Sequence, residues 1–352
     1  MKPGHVFVVH SRLQDLQYDA TLIPTDRPLS VRSYWRPVLN VPALPGDEGH
    51  LDVSAIRPAS WPRPFARIAP TGDQGPTAPT WFIDTTSGGS DPGQRVDRVM
   101  ANLAGALREI VASGISPGTG RAIPLIAVPT LGVRGGGLNS KRGLIVRRLL
   151  EQCQSFVLAN AVDIVIAAAN ASDYAAFQHQ RRHGNHAFLS LSVDLQQHGT
   201  KLAGLARDGH LALFLGAGVS IPAGLPSWSG LLDDLRRESH TSQDELESLR
   251  SPLDQAELLQ RRLGGSQLLK EKIAERFQGG NRPGIMQLAA LGCSEVITTN
   301  YDSLFETAVN LKREDGSRMA VLPYEQKEAV PGLDPEDARR PQSSRKGGAL
   351  AE

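Results

Sequence analysis

Cysteine is nearly absent from this chain, with 2 in 352 residues, Cys153 and Cys293. Far apart and without a C-x-x-C spacing, they exclude a disulfide framework and a four-thiolate zinc site as organising principles. Two lone thiols fit a reducing cytoplasm. An excess of charge of one sign is missing as well. Lys and Arg number 38 against 37 Asp and Glu, a formal net charge of +1, so the chain has no surplus of cations with which to coat a polyanion. Long hydrophobic runs are also lacking. Val6-Phe7-Val8-Val9 is too brief for the core of a signal peptide. The longest uncharged stretch, Leu211 to Leu232, is interrupted by Gly216, Gly218, Gly224, Gly230, Pro222 and Pro226 and makes no spanning helix. These absences predict a soluble, cytoplasmic protein with neither a nucleic acid nor a membrane as partner.

What is present is an alternation of strand-like and helix-like patterns. Val6–Val9, Ala20–Ile23, Trp81–Ile83, Leu125–Val128 and Ile164–Ile166 read as short apolar strands. Between them, Asp97–Ala112 carries a helical stripe (Val99, Met100, Leu103, Leu107, Ile110, Val111), and Ile145–Val157 and Ser172–Arg182 read as further helices. Strands alternating with helices predict an α/β fold with a mostly parallel sheet covered on both faces. Gly46–Pro79, rich in Pro and Gly, reads as loops with at most a short helix. Asp194–Arg207 reads as a connecting helix, Leu231–Phe277 as a charged helical insertion, and Pro331–Glu352 as a disordered tail. No internal repeat is visible.

Two stretches in the second half carry chemistry. Leu211–Leu215 runs into Gly216-Ala217-Gly218-Val219-Ser220, where small residues let a backbone turn approach a diphosphate and present N–H groups to it. Glu295-Val296-Ile297 then delivers Thr298-Thr299-Asn300-Tyr301-Asp302 to a second strand end, the edge at which open parallel sheets bind ligands. An Asn-x-Asp at a strand end also suits an Asx-turn or a helix cap. With Gly224-Leu225-Pro226-Ser227-Trp228 between them, these motifs resemble the sirtuin-like superfamily in its bacterial-defence branch: GAGxS, then G-[IL]-P-x-[FW], then T-x-N-x-D-x-L. The resemblance spans about residues 209–324.

That resemblance implies NAD+ as ligand or substrate. Gly216, Ala217, Gly218 and Ser220 would cradle the diphosphate, and Pro226 and Trp228 would cover the ribose and nicotinamide. Thr299 would belong to the same cofactor-binding edge. Asn300 would hold the nicotinamide ribose or the attacking water, and Asp302 would orient the loop or bond near the nicotinamide pocket. Deacylating members carry an Arg after the P-x-F segment and a zinc module. Ser229 stands at that position and the cysteines are absent, which favours NAD+ hydrolysis over protein deacylation, the lesser alternative. The family base is a His-Gly histidine beyond T-x-N-x-D, whereas the last histidine here is His240. The pattern stops after Tyr324, so the expectation is a shortened and catalytically impaired copy. The resemblance also implies self-association through this domain.

The first half has a glycine loop of its own. Leu131 to Gly137 holds four glycines in six positions, Gly132, Gly135, Gly136 and Gly137, and it precedes a helix beginning near Lys141. Lys141 and Arg142 would oppose the helix dipole at a cost of about 0.3–1 kcal/mol each, which a bound phosphate would reverse; a flexible loop with solvated charges is the plainer alternative. Ser11 to Asp26 is similar to the opening of macro domains, G-D-I-T-x-L-x-x-D-A-I-V-N-x-x-N, and the glycine loop to that family's second phosphate-binding loop. Arg12 replaces the adenine-reading aspartate, and Ile23 and Asp26 replace the ribose asparagines, so binding of a nucleotide-like signal is expected rather than ADP-ribose hydrolysis. His179, His183 and His186 form H-x-x-x-H-x-x-H, but Gln180 replaces the zinc-protease Glu and Arg181 and Arg182 repel a cation, so no metal is expected.

The expected architecture is two three-layer α/β/α domains: a macro-like mixed sheet over 1–190, a connecting helix over 191–209, and a Rossmann-like parallel sheet, incomplete, over 210–324, with the tail at 325–352. The expected function is an NAD+-hydrolysing effector of antiphage defence, with a non-catalytic nucleotide- or ADP-ribose-sensing module as the alternative.

Overall fold

The structure is a computed structural model that describes residues 3–69, 75–87, 91–118, 121–133, 136–183, 191–277, 283–300 and 302–311. Its first part is built on β1 (Val6–His10), β2 (Ala20–Thr25), a four-residue helix α1 (Arg36–Leu39), β3 (Ala43–Leu44), β4 (Asp47–Leu51), β5 (Phe65–Arg67), β6 (Thr80–Asp84), α2 (Pro92–Ala112), β7 (Leu125–Pro129), α3 (Arg142–Ala159), β8 (Asp163–Ala168) and α4 (Ala171–His183). Six strands form one sheet in the order β1-β8-β7-β2-β6-β5, parallel throughout except where the edge strand β5 runs against β6.

Strict alternation along the strands explains why both faces are covered. Leu22, Trp81, Ile83, Ile126, Val128, Ile164 and Ile166 point to one face, where α2 and α3 contribute Val99, Leu103, Leu107, Ile145 and Leu149. Their neighbours Ile23, Phe82, Ala127, Val165 and Ala167 point to the other. Trp81 and Phe82 are both fully buried, on opposite faces. A Phe at such a position contributes about 3–5 kcal/mol relative to Ala.

The segment read as loops contains a hairpin and an edge strand. β3 and β4 pair antiparallel, and β5 adds to β6. Periodicity missed β4 because Asp-Glu-Gly-His-Leu buries only Leu51; a hairpin lying on a surface needs no apolar alternation. β5 is three residues long behind two prolines, too short to show a period.

The second part consists of α5 (Val193–Arg207), β9 (Ala212–Leu215), α6 (Trp228–Glu238), α7 (Gln243–Glu247), α8 (Pro252–Leu263), α9 (Ser266–Arg276), α10 (Pro283–Ala290), β10 (Glu295–Thr298) and α11 (Leu304–Asn310). β9 and β10 form a two-stranded parallel sheet. Its inner residues Leu215 and Val296, with Ile285, Met286, Leu304 and Phe305 of α10 and α11, join the apolar cluster on the second face of the large sheet. The two halves therefore share a core. Helices α6 to α9 have a separate one around Leu231, Leu235 and Leu259, and α6, α7 and α8 each begin at a Ser whose hydroxyl accepts a first-turn N–H. On the outer face of the small sheet, the cross-strand pair Phe214 and Ile297 is 71% and 58% exposed. The tail at 325–352 lies outside the described residues. Among those that are described, no helix is long and apolar enough to cross a membrane.

Candidate functional site

Pairing of Thr298 with Leu215 brings the ends of β9 and β10 to one edge, and the Thr299 N–H continues the ladder by donating to Leu215 O at 3.1 Å. Gly216 then turns the chain into a single 3-10 turn, Ala217–Val219. Val219 and Ser220 donate their N–H groups back to Gly216 O and Ala217 O. Among the described residues, the Ala217 and Gly218 N–H groups have no acceptor, and both residues are exposed. Neither Gly216 nor Gly218 has a positive φ, and a Cβ at either would meet no protein atom within 4 Å. The fold itself does not need glycine at these positions.

Asn300 joins the two motifs. Its Nδ2 donates to Gly216 O at 3.2 Å and to Ser220 Oγ at 3.0 Å, while its own N–H donates to Thr298 Oγ1 at 3.0 Å. Both amide hydrogens are thus committed, and Asn300 lines a small cavity of about 10 Å³. Asp302 is 9% exposed; its Oδ1 accepts the Leu304 N–H at 3.1 Å, starting α11, and the residue lines the same cavity. Asn300 Oδ1 and Asp302 Oδ2 are both buried acceptors without a donor among the described residues. Leu215, Val219, Ile285 and Phe305 supply the apolar wall. That volume admits a single water or one ligand group, so a dinucleotide would lie along the open edge over Gly216–Ser220. Glu306, in the first turn of α11, also lines the cavity; its place four residues after Asp302 was the signal available for it in the sequence. Tyr301 lies outside the described residues.

The remaining residues of the second motif lie close by. Gly224, in the left-handed region at φ +85°, ends a short 3-10 turn. Pro226 follows, and Ser227 caps α6, leaving Trp228 at its first position, 37% exposed. The expected helical insertion is present as α6 to α9.

In the first half, the glycine loop has internal reasons for its composition. Gly132 and Gly137 have φ of +71° and +68°, and a Cβ on Gly136 would sit 2.6 Å from the Gly132 backbone. The Arg95 guanidinium of α2 caps Gly136 O. Gly135 lies outside the described residues. Arg142 is committed to Asp173, its Nε 3.2 Å from Oδ1, and to Ser172 Oγ at 3.1 Å. The Nε–H does not point at that oxygen, since both atoms lack a hydrogen-bond partner. The dipole penalty expected for Arg142 is thus relieved by a buried carboxylate of the protein. Two further groups escaped the sequence reading. Thr25 Oγ1 and Thr130 Oγ1, at the C-terminal ends of the adjacent strands β2 and β7, are buried and have no partner among the described residues. The chain leaves these two strands in opposite directions along the sheet, the arrangement that opens a ligand crevice in α/β folds.

The His179 and His183 rings are 4.1 Å apart, and His183 Nδ1 bonds to His179 O; His186 lies outside the described residues. Among those that are described, no group of three or more His, Cys, Asp and Glu side chains is placed to hold a metal.

No protein-family model matches this chain, and no curated protein does. Among solved structures, it is similar to a mutant macrodomain from Oceanobacillus iheyensis at 11% identity and a TM-score of 0.36, over 50% of this chain and 90% of that one.

Proposed function

We propose that the edge formed by β9 and β10 binds NAD+, with the diphosphate on the Gly216–Ser220 turn and the nicotinamide riboside end toward Asn300 and Asp302. The observation that carries this reading is the pair of glycines with no internal reason to be glycine, Gly216 and Gly218, beside two N–H groups that have no acceptor among the described residues. Open space over a bare backbone suits close approach of an anion. The buried acceptors Asn300 Oδ1 and Asp302 Oδ2 call for donors from outside the chain, and ribose hydroxyls and the nicotinamide carboxamide are donors of the right kind. No zinc module accompanies the site, which favours hydrolysis of the N-glycosidic bond over deacylation. Nicotinamide leaves as a neutral molecule from a cationic ring, so positioning and electrostatic stabilisation can supply most of the catalysis. The resemblance puts the catalytic base on a histidine and the lining residues of the described cavity include none, so slow turnover is the expectation of this reading. The motif resemblance is what supports a role as effector in antiphage defence.

The test is calorimetric titration of the chain with NAD+, together with a time course of free nicotinamide. Absence of binding with Gly216–Ser220 intact would remove the proposal. Binding with rapid turnover would show that another group supplies the base. A second reading, a nucleotide-like signal in the crevice of the first half, is favoured by the orphaned hydroxyls of Thr25 and Thr130. It would be seen as a second, ADP-ribose-competable site in the same titration.

A further inference from the structure

A second cavity, of about 440 Å³, opens between the turn after β2 and the β3–β4 hairpin, within the size range of small-molecule sites, roughly 300–1,000 Å³. Its floor is apolar, made by Leu29, Leu51 and Val53, all less than 10% exposed. Leu29 is there at a conformational cost. Its φ is +71°, a region that bulky L-residues seldom adopt and that is found disproportionately at ligand sites. The turn is held by the Leu29 N–H on Asp26 O at 3.0 Å and the Ser30 N–H on Asp26 Oδ1 at 2.7 Å. The Trp61 indole donates to Arg27 O at 2.8 Å. A glycine would take that φ without strain, and the chain places a leucine there instead.

The rim carries one free charge of each sign. Asp47 is saturated, with Oδ1 accepting from Gly49 N and Oδ2 bonded to His50 Nδ1 at 2.7 Å. Asp52 accepts Ser54 N and Ser54 Oγ on Oδ1 alone, and those bonds hold its carboxyl below the usual range, so it is ionised. Its Oδ2 has no donor among the described residues, and the Arg57 guanidinium has no hydrogen bond or ion pair among them either. One free charge of each sign suits a zwitterion better than a diphosphate.

We propose that this cavity binds a small zwitterion with an apolar body, an apolar α-amino acid, with its ammonium on Asp52 Oδ2, its carboxylate on the Arg57 fork and its side chain on the floor formed by Leu29, Leu51 and Val53. This site is separate from the dinucleotide edge and does not depend on the reading of that edge.

The test titrates the full chain with L-leucine and L-phenylalanine, and with leucinamide and N-acetyl-leucine, which each lack one of the two charges. At least one of the two amino acids should bind. Loss of either charge should weaken binding about tenfold or more, as expected for a charge-assisted contact. Arg57→Gln should weaken the amino acid by a similar factor and leave leucinamide unchanged, and Asp52→Asn should do the converse with N-acetyl-leucine as the insensitive ligand. Circular dichroism confirms that both variants are folded. Absence of binding by both amino acids at about 10 mM, well above the range of ordinary small-ligand affinities, overturns the proposal. Equal affinity for leucine and either blocked derivative, or an unchanged affinity in Arg57→Gln, overturns it as well.

Discussion

The Asn300 side-chain amide donates to Ser220 Oγ at 3.0 Å across a separation of 80 residues in sequence. It fixes the amide, because with Nδ2 spent on Ser220 and on Gly216 O, Oδ1 has only one direction left. Replacing Asn300 by Ala removes two neutral hydrogen bonds of about 0.5–1.5 kcal/mol each. The expected result is faster hydrogen exchange at the Thr299 amide and NAD+ affinity within about tenfold of wild type. Asn300→Asp should be worse for binding than Ala, because it sets a carboxylate beside Asp302 and the diphosphate cradle. Equal NAD+ affinities for the Asp and Ala variants would contradict this geometry.

Gly218→Val separates binding from folding. A Cβ at Gly218 meets nothing within 4 Å and the backbone there has no positive φ, so stability should change by no more than about 0.5 kcal/mol. The branched side chain would occupy the space where a diphosphate approaches Ala217 and Gly218. NAD+ binding should therefore be abolished while the urea midpoint stays put. A Gly218→Val protein that binds as well as wild type would mean the turn is not the cradle.

How much of this was legible beforehand follows a physical pattern. Strands buried on both faces, such as Leu125–Pro129 and Asp163–Ala168, announce themselves as apolar runs, and α2 through its stripe. The β4 strand and β5 do not, since neither faces two cores. Gly216, Gly218 and Asn300 could be named from spacing alone. That Asn300 grips Ser220 could not, because it depends on a parallel register between strands 80 residues apart. The shared core of the two halves was also invisible: Ile285 and Phe305 look in sequence like residues of an independent domain, and only the packing places them in one apolar cluster with Val9 and Leu13.

The glycine loop of the first half gives a paired prediction. Gly136→Ala drives a Cβ to 2.6 Å from the Gly132 backbone; backbone cannot swing aside, so a loss of about 1–3 kcal/mol is expected. Gly143→Ala, inside α3 with nothing within 4 Å, should instead stabilise by about 0.5–1 kcal/mol. Chemical denaturation of both variants checks the pair. A neutral Gly136→Ala would show that these glycines serve something other than the loop's own packing.

Alkaline pH should expose one fully buried acid and one half-buried one. Burial pushes the Cys153 thiol up to about 12, and burial pushes the Tyr18 hydroxyl up to about 12 as well. In the unfolded chain they titrate near about 8.5 and about 10. Both folded values are raised, so the unfolded state releases its protons first. The stability tied to Cys153 is therefore complete below about pH 8.5 and is lost as pH climbs toward about 12; that tied to Tyr18 begins to be lost near about pH 10. Each group adds a slope of at most about 1.36 kcal/mol per pH unit within its window. Urea unfolding from about pH 8 to pH 11 should show falling stability at constant m, and Cys153→Ala, lower at the start for its cavity, should keep a flat profile until near about pH 10. Iodoacetamide under native conditions near pH 8 should modify Cys293, which is partly exposed, and leave the fully buried Cys153 untouched. A Cys153→Ala profile parallel to that of wild type between about pH 8.5 and pH 10 would mean that the thiol ionises freely in the folded protein and is not sealed in the apolar core it shares with Ile145, Leu149 and Ile166.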